Sequence, residues 1–252
     1  MSMAKPKSIA LVTGVSNHTG IGAAVCRKLA QQETDIFFTH WQATPDFPER
    51  FRSEIKDLGV RCEFVEVDLA QRDAEAAILT HVKSAIGFPN ILINNAAHSI
   101  DSNYMDLTGT ILDDHYMVNM RATLLLSTEF AKGFQQMGRN DGRIINLTSG
   151  QEQGPMPGNL AYAATKGAIS AFTSSLSAEL TELGITVNAV NPGPTDTNWM
   201  DDDIREYLRP KFGLGRIGKP EDAANLIAFL ASEEGGWITG QVIHSEGGFL
   251  RS

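Results

Sequence analysis

The sequence predicts an α/β fold, a doubly wound parallel sheet of about seven strands with helices on both faces. Two patterns predict it. Short apolar runs recur along the chain, and the segments between them carry apolar residues at the spacing of an amphipathic helix. Such runs are typical of strands that are buried on both faces of a parallel sheet. They occupy residues 9–13, 35–39, 61–67, 91–93, 143–148, 186–190 and part of 238–245.

Length and composition favour one domain without nucleic-acid or lipid partners. With 252 residues and 42% hydrophobic content, the chain can bury one substantial core, so a single domain over 1–252 is expected. A formal net charge of −9 opposes attraction to nucleic acid and to anionic membranes. Cys26 and Cys62 show no spacing typical of disulfides or metal ligands, and no metal is expected. The segment before the first strand is too short for a signal peptide or a membrane span, which predicts a cytoplasmic location.

A glycine-rich turn follows the first strand and opens the first helix. There the backbone N–H groups and the positive end of the helix dipole can face a pyrophosphate, and glycines let the main chain approach it. A turn of this kind can also be purely structural, so the assignment depends on the later motifs. The residues predicted to contact a dinucleotide here are Gly14, Ser16, Asn17, His18, Gly20 and Ile21.

Tyr162 and Lys166 lie four residues apart within a helix predicted over 160–183. This spacing places them one turn apart on the same helix face. The lysine's charge would then favour the ionised phenol and lower its pKa. The alternative is an ordinary exposed helix pair. Ser149 ends the fifth strand without the Gly-x-Ser-x-Gly elbow of a hydrolase, so ester hydrolysis is not expected.

Six motifs occur in order along the chain: TGVSNHTGIG at 13–22, NNAA at 94–97, Asn119, RIINLTS at 143–149, the Tyr162 and Lys166 pair, and NPGPTDT at 191–197. Together they resemble the short-chain dehydrogenase/reductase family, in particular its 3-oxoacyl-acyl-carrier-protein reductases. The resemblance runs from about residue 9 to residue 248. It implies a single Rossmann-type domain and hydride transfer between a nicotinamide cofactor and a carbonyl or alcohol substrate.

The resemblance implies four catalytic residues. Tyr162 would donate or remove the proton, Lys166 would lower the phenol's pKa and bind the nicotinamide ribose, and Ser149 would orient the substrate oxygen. Asn119 would hold a water that links Lys166 to solvent. From the residues alone, Asn119 within a helix predicted over 112–137 is a kink or an exposed residue. His98, at the expected mouth of the site, matches no family role.

The resemblance also implies the remaining cofactor contacts. Asp68 and Leu69 follow the third strand, where the family's Asp bonds the adenine ring, although Asp68 can equally cap the next helix. The turn Asn95, Ala96 and Ala97 would pass close to the ribose. Two departures from the family pattern stand out: the glycine loop is two residues longer, and Ala97 replaces a glycine. The residues implied beside the nicotinamide carboxamide are Pro192, Gly193, Thr195 and Thr197.

The end of the second strand favours NADP(H), with NAD(H) possible. An NAD site needs a carboxylate there, about 20 residues beyond the glycine turn. This chain has His40 and Trp41 at that point, and no carboxylate follows before Asp46. A 2′-phosphate would therefore meet no repulsion and would find donors in Thr39, His40 and the following amides. The arginine or lysine common in NADP-binding members is missing.

The substrate is expected to be a small carbonyl or alcohol compound, since the acidic residues of 201–203 disfavour docking of an acidic carrier protein. Residues 195–215 are predicted to form a mobile lid over it. The resemblance further implies a homotetramer built on the two long helices. The alternative function is a catalytically inactive dinucleotide sensor with the same fold.

Overall fold

The structure, a computed structural model, describes residues 6–251. Its strands are β1 Ile9–Val12, β2 Asp35–His40, β3 Cys62–Glu66, β4 Ile91–Asn94, β5 Gly142–Leu147, β6 Ile185–Asn191 and β7 Val242–His244. Its α-helices are α1 Ile21–Gln31, α2 Phe47–Lys56, α3 Ala74–Ala85, α4 Gly109–His115, α5 Ala122–Gln135, α6 Leu160–Leu180, α7 Asp202–Leu208 and α8 Pro220–Ala231. These bounds follow the predicted elements closely, apart from the helix over 112–137.

All seven strands form one sheet in the order β3-β2-β1-β4-β5-β6-β7. Every neighbouring pair is parallel, which confirms the predicted doubly wound sheet. The chain runs outward from β1 to β3, returns to the centre, and builds the other half from β4. The strand order therefore reverses between β1 and β4, and ligands of such sheets bind beside that point, at the carboxyl ends of the strands.

Two apolar layers hold the helices against the sheet. One layer packs α1, α2 and α8 on one face, through side chains such as Phe51 and Ile227. The other packs α3, α5 and α6 on the opposite face, through side chains such as Ile78, Phe130 and Leu176. Full burial of one such side chain stabilises the fold by about 2 kcal/mol. The carboxyl edge between the layers is left to loops and polar side chains.

The loops after β1 and β4 are in direct contact at the reversal point. Gly14 has a φ of 72°, and a Cβ built on it would lie 2.5 Å from Cα of Ala96. The side-chain amide of Asn95 donates to the carbonyl oxygens of Thr13 and Gly14 at 2.8 and 3.0 Å. Only glycine fits this position, because a side chain would be strained in φ and would overlap the neighbouring backbone.

The long helix predicted over 112–137 is confirmed as one continuous helical segment over 109–135, although it is not regular throughout. The structure has α4, then a π-helical turn over Tyr116–Arg121, then α5. A π-helical turn closes its hydrogen bonds one residue later than an α-helix and widens the helix locally. Asn119 lies in this turn and is buried. The apolar spacing could not show the π-helical turn, because apolar residues recur at helical spacing on both sides of it.

The segment predicted as a lid contains α7 and a 3₁₀ turn over Arg209–Lys211. Phe212 packs against Phe249, with ring centroids 5.0 Å apart. Large apolar side chains of this segment are exposed, among them Trp199, Tyr207 and Leu214. Across residues 6–251, none of the helices has the length and apolar character needed to cross a membrane.

Candidate active site

A cleft of ≈ 590 Å³ opens at the carboxyl edge of the sheet, over the reversal point. Volumes of 300–1,000 Å³ are usual for ligand sites. Most of the residues predicted to contact the cofactor line this cleft. They are Gly14, Ser16, Asn17, Gly20, Ile21, His40, Trp41, Asp68, Leu69, Asn95, Ala96, Ala97, Tyr162, Lys166, Pro192 and Thr197.

The glycine loop presents its backbone to this cleft at the N-terminus of α1. Gly20 is the residue before α1, and no side chain caps that helix end. The free N–H groups and the helix dipole can therefore receive an anion. The space that a Gly14 side chain would fill is taken by Ala96, so the main chain lies on the cleft floor without side chains in between. These residues fit a dinucleotide pyrophosphate.

Three predicted cofactor residues lie outside the cleft. The His18 ring packs edge-on against Phe47 at 4.8 Å, and its Nδ1 lies 3.5 Å from a carboxylate oxygen of Glu54. Thr195 is buried, and its hydroxyl donates to the carbonyl oxygens of Pro192 and Gly193. Thr195 and Gly193 therefore shape the turn after β6 rather than face the cleft. The His18 side chain points away from the cleft because its ring contacts Phe47 and Glu54, both on α2.

Lys166 is buried on α6 and turned toward the sheet. Its Nζ donates to the carbonyl oxygen of Leu147 at 2.7 Å and lies 5.5 Å from the centre of the Tyr162 ring. Burial lowers the pKa of Lys166 to about 8. Among the described residues that line the cleft, Lys166 is the only lysine or arginine. A negative or hydroxyl-bearing group entering the cleft could give this ammonium a further partner besides Leu147.

Tyr162 is half-buried one turn before Lys166. Burial raises the pKa of its phenol, and a hydrogen bond with Ser149 opposes that rise. The Lys166 ammonium donates to the Leu147 carbonyl rather than to the phenol oxygen, so its effect on the Tyr162 pKa stays a prediction. The phenol therefore keeps its proton at neutral pH, as a proton donor needs to.

Ser149 stands beside the phenol, just beyond the end of β5. Its hydroxyl interacts with Tyr162 and lies 4.0 Å from the sulfur of Met156. Ser149 and Tyr162 thus present two hydroxyl groups side by side, within reach of one substrate oxygen. This is the arrangement that the sequence predicted for them.

Asn119 lies behind these groups, buried in the π-helical turn. Its amide nitrogen donates to the hydroxyl of Thr165 at 3.1 Å, one residue before Lys166, and to the carbonyl of His98 at 2.9 Å. Its carboxamide oxygen accepts the His98 N–H at 2.6 Å. Asn119 therefore connects α6 to the loop after β4, and this position sets the approach to Lys166.

His98 lines the cleft wall, in agreement with its expected place at the mouth of the site, and sequence reasoning missed its neighbour in that wall, Asp114. The His98 ring packs against that of His115 with centroids 4.7 Å apart. Burial and the neighbouring His115 lower the pKa of His98, so it is uncharged at neutral pH. Asp114 comes from α4, where nothing in the local pattern indicates that a helix from this part of the chain reaches the cleft.

A second missed residue is Glu66, the last residue of β3. One of its carboxylate oxygens accepts the backbone N–H of Gln42 at 3.1 Å. The sequence offered no carboxylate near the end of β2, yet the neighbouring strand brings one there. The register of β2 and β3 explains this position, because it pairs His40 with Glu66.

Comparison with known proteins agrees with this geometry. A family described as enoyl-(acyl carrier protein) reductase matches residues 14–250. An uncharacterized oxidoreductase, YjdA of Bacillus subtilis, is 60% identical over 97% of this chain and 98% of its own. The 3-oxoacyl-[acyl-carrier-protein] reductase FabG of Staphylococcus epidermidis is 34% identical over 95% of this chain and 97% of its own.

Solved structures give the same family. Acetoin dehydrogenase YohF from Salmonella typhimurium superposes with a TM-score of 0.86, at 33% identity over 96% of each chain. A blue fluorescent protein from a metagenomic library, in complex with NADPH, gives 0.87 at 30% identity over 96% of this chain and 97% of its own. The chain belongs to the short-chain dehydrogenase/reductase family and is an oxidoreductase.

Proposed function

We propose that this protein is an NADP(H)-dependent reductase of small ketones, with Tyr162 as its proton donor. The observation that carries the proposal is that Tyr162 and the buried Lys166 line the same cleft as the glycine loop, with Ser149 hydrogen-bonded to the Tyr162 phenol. A bound nicotinamide would supply the hydride. The chain's own residues then have to orient the carbonyl and give its oxygen a proton.

The division of work follows from the contacts. The hydroxyl groups of Ser149 and Tyr162 hold the substrate oxygen, and Tyr162 releases its proton to that oxygen as negative charge develops. The Lys166 ammonium stabilises the resulting phenolate and can bond a ribose hydroxyl in place of the Leu147 carbonyl. Asn119 fixes the position of α6 relative to the cleft.

For the cofactor we favour NADP(H). Support comes from the end of β2, which carries no carboxylate of its own, and from the NADPH complex of a structural relative. His40 is 6% exposed, and burial lowers its pKa. It would therefore contact a 2′-phosphate mainly as an uncharged group at neutral pH. NAD(H) is the alternative cofactor.

A free small molecule is the preferred substrate over a carrier-bound one. The predicted lid over 195–215 carries the exposed Asp201, Asp202 and Asp203 at the start of α7, and Arg205 is paired with Asp196 and Asp202. The acidic start of α7 would repel an acidic carrier. YohF, named an acetoin dehydrogenase, suggests α-diketones and α-hydroxyketones as the first compounds to assay.

The deciding experiment measures NADPH and NADH oxidation with α-diketones, β-ketoacyl thioesters free and carrier-bound, sugars and steroids. Tyr162→Phe serves as the control for chemistry at this site. We expect turnover of a small ketone, a higher kcat/KM with NADPH than with NADH, and a loss of at least ~100-fold in Tyr162→Phe with cofactor binding retained. Tight NADPH binding without turnover of any compound would favour the sensor function instead.

We also propose a homotetramer and retain the predicted cytoplasmic location. Exposed apolar side chains lie in or shortly before the first turns of the long helical segments, namely Tyr104, Met105, Leu112, Tyr116 and Leu160. The N–H of Leu160 bonds the carbonyl of Ser102, so part of this set lies together in space. An exposed apolar patch of this kind marks an interface. Light scattering that gave a monomer at micromolar concentration would contradict the assembly.

A further inference from the structure

The turn after β2 is held by a carboxylate from the neighbouring strand. Gln42 adopts a φ of 50°, in the left-handed region that few side chains enter. Its N–H is bound by the exposed carboxylate of Glu66 at 3.1 Å. The N–H of Trp41 is bound by the hydroxyl of Ser16 at 3.3 Å. Both amides of this turn are therefore engaged, one of them by a negative charge.

This turn lies where a dinucleotide places its adenosine ribose. In sheets of this type the residue that reads the 2′ position ends the second strand, about 20 residues beyond the glycine turn. Ser16, His40 and Trp41 line the cleft at this end, and His40 pairs in register with Glu66. In NAD sites the carboxylate near the 2′ position ends β2. In this chain the carboxylate near that position is Glu66, which ends β3.

Two arginines of α1 and α2 bind carboxylates other than Glu66. Arg27 is bound to Glu54 and to the carbonyl of His18. Arg52 is bound to Glu49 and Glu63.

His40 does not neutralise Glu66. Its ring is 6% exposed and packs between Phe38 and Phe64, and its Nδ1 is without a hydrogen-bond partner among the described residues. Burial disfavours its charged form. Glu66 is exposed at the end of β3 and pairs with His40, so its negative charge lies next to the part of the cleft that His40 and Trp41 line.

We propose that Glu66 sets the discrimination between NADP(H) and NAD(H) at this site. Its charge repels a 2′-phosphate, and its bond to Gln42 withholds an amide that a phosphate would otherwise use. The inference rests on the proposed reductase function and adds a specificity residue to it. It follows that the natural preference for NADPH is modest and that removing the charge of Glu66 enlarges it.

The test compares Glu66→Gln, Glu66→Ala and the control Glu63→Gln, which removes a charge from the same strand where Arg52 and Lys56 bind it. The amide oxygen of Glu66→Gln can still accept the Gln42 N–H, so this variant isolates the charge. The readouts are kcat/KM for NADPH and for NADH with one ketone, and the Kd of each cofactor from nicotinamide fluorescence. The Kd values need no substrate.

We expect Glu66→Gln to raise the NADPH-to-NADH ratio about fivefold, mainly through the KM and Kd of NADPH, with a smaller effect at high salt. Glu63→Gln should leave the ratio unchanged. An unchanged ratio in Glu66→Gln, or equal losses with both cofactors, would overturn the proposal. A wild-type preference for NADH would instead contradict the proposed cofactor, while the ratio change in Glu66→Gln would still decide the role of Glu66.

Discussion

The Asn119 side chain makes two hydrogen bonds to the backbone of His98: its oxygen accepts the His98 N–H at 2.6 Å, and its nitrogen donates to the His98 carbonyl at 2.9 Å. The same amide donates to Thr165 at 3.1 Å. One buried side chain thus connects the π-helical turn, the loop after β4 and the helix that carries Tyr162. A side chain with this role contributes to stability before any substrate is present.

Replacing Asn119 with Ala should destabilise the protein by about 2–3 kcal/mol, because buried partners lose their hydrogen bonds. Urea unfolding measures this loss, and hydrogen exchange of the His98 amide reports the local loosening. Thr165→Val is the matched control, since it removes one of the Asn119 contacts and leaves the bonds to His98. If Asn119→Ala lost no more stability than Thr165→Val, the two hydrogen bonds from Asn119 to the His98 backbone would contribute nothing to the free energy of unfolding.

Gly14→Ala tests the contact between the loops after β1 and β4. Its new Cβ would lie 2.5 Å from Cα of Ala96, on a backbone with a φ of 72°. We expect a loss of about 3 kcal/mol and weaker cofactor binding. Gly59→Ala provides the control, because Gly59 has a φ of 88° and open space around it. It should cost only about 1 kcal/mol.

The difference between these two variants in chemical denaturation isolates the steric contact from the backbone strain. Equal losses would mean that the loops can move apart without cost.

Much of the fold followed from local patterns. Apolar runs of strand length and helical spacing between them predict the sheet and its helices, since both are set by which side chains must be buried. The π-helical turn within the helix predicted over 112–137 could not be recognised in the sequence. A π-helical turn shifts the hydrogen-bonding partner by one residue, and that shift depends on what Asn119 contacts elsewhere in the chain.

The site was predicted in its composition more fully than in its electrostatics. Motif order predicts that Ser149, Tyr162 and Lys166 share one site, and the structure places Ser149 and Lys166 each beside Tyr162. The direction of the Lys166 side chain, the turning away of His18 and the arrival of Glu66 beside Gln42 are contacts between distant parts of the chain. Desolvation also depends on complete packing, so the raised pKa of Tyr162 could not be inferred from its spacing to a lysine.

Arg251 connects the end of the chain to the loop that follows Ser149. It pairs with Glu246, with Nη1 and Oε2 3.0 Å apart. A Cβ on Gly154 would lie 3.0 Å from its Cδ, so the arginine stem packs against that loop. Arg251→Ala should increase hydrogen exchange across residues 149–156 about fivefold, the equivalent of about 1 kcal/mol.

Arg50→Ala breaks an exposed arginine–aspartate pair elsewhere and should leave exchange in this loop unchanged. Equal exchange in Arg251→Ala and the wild type would show that the loop holds its position without the arginine.

Burial of Lys166 makes the stability of the cofactor-free protein depend on pH. Its pKa falls from 10.5 to about 8 on folding. Between those values the unfolded chain binds more protons than the folded one, so the free energy of unfolding rises with pH. Below pH 8 the folded protein carries a buried charge at a constant cost. We therefore compare wild type and Lys166→Met by urea unfolding at several pH values from 7 to 10.

The wild type should gain about 2 kcal/mol relative to Lys166→Met across that range. Taking the difference between two proteins cancels the titration of all other groups that they share. Lys132→Met is the control, because the exposed Lys132 is paired with Glu129 on α5 and should give a difference that is nearly flat. A flat difference for Lys166→Met as well would mean that the ammonium stays solvated in the folded state.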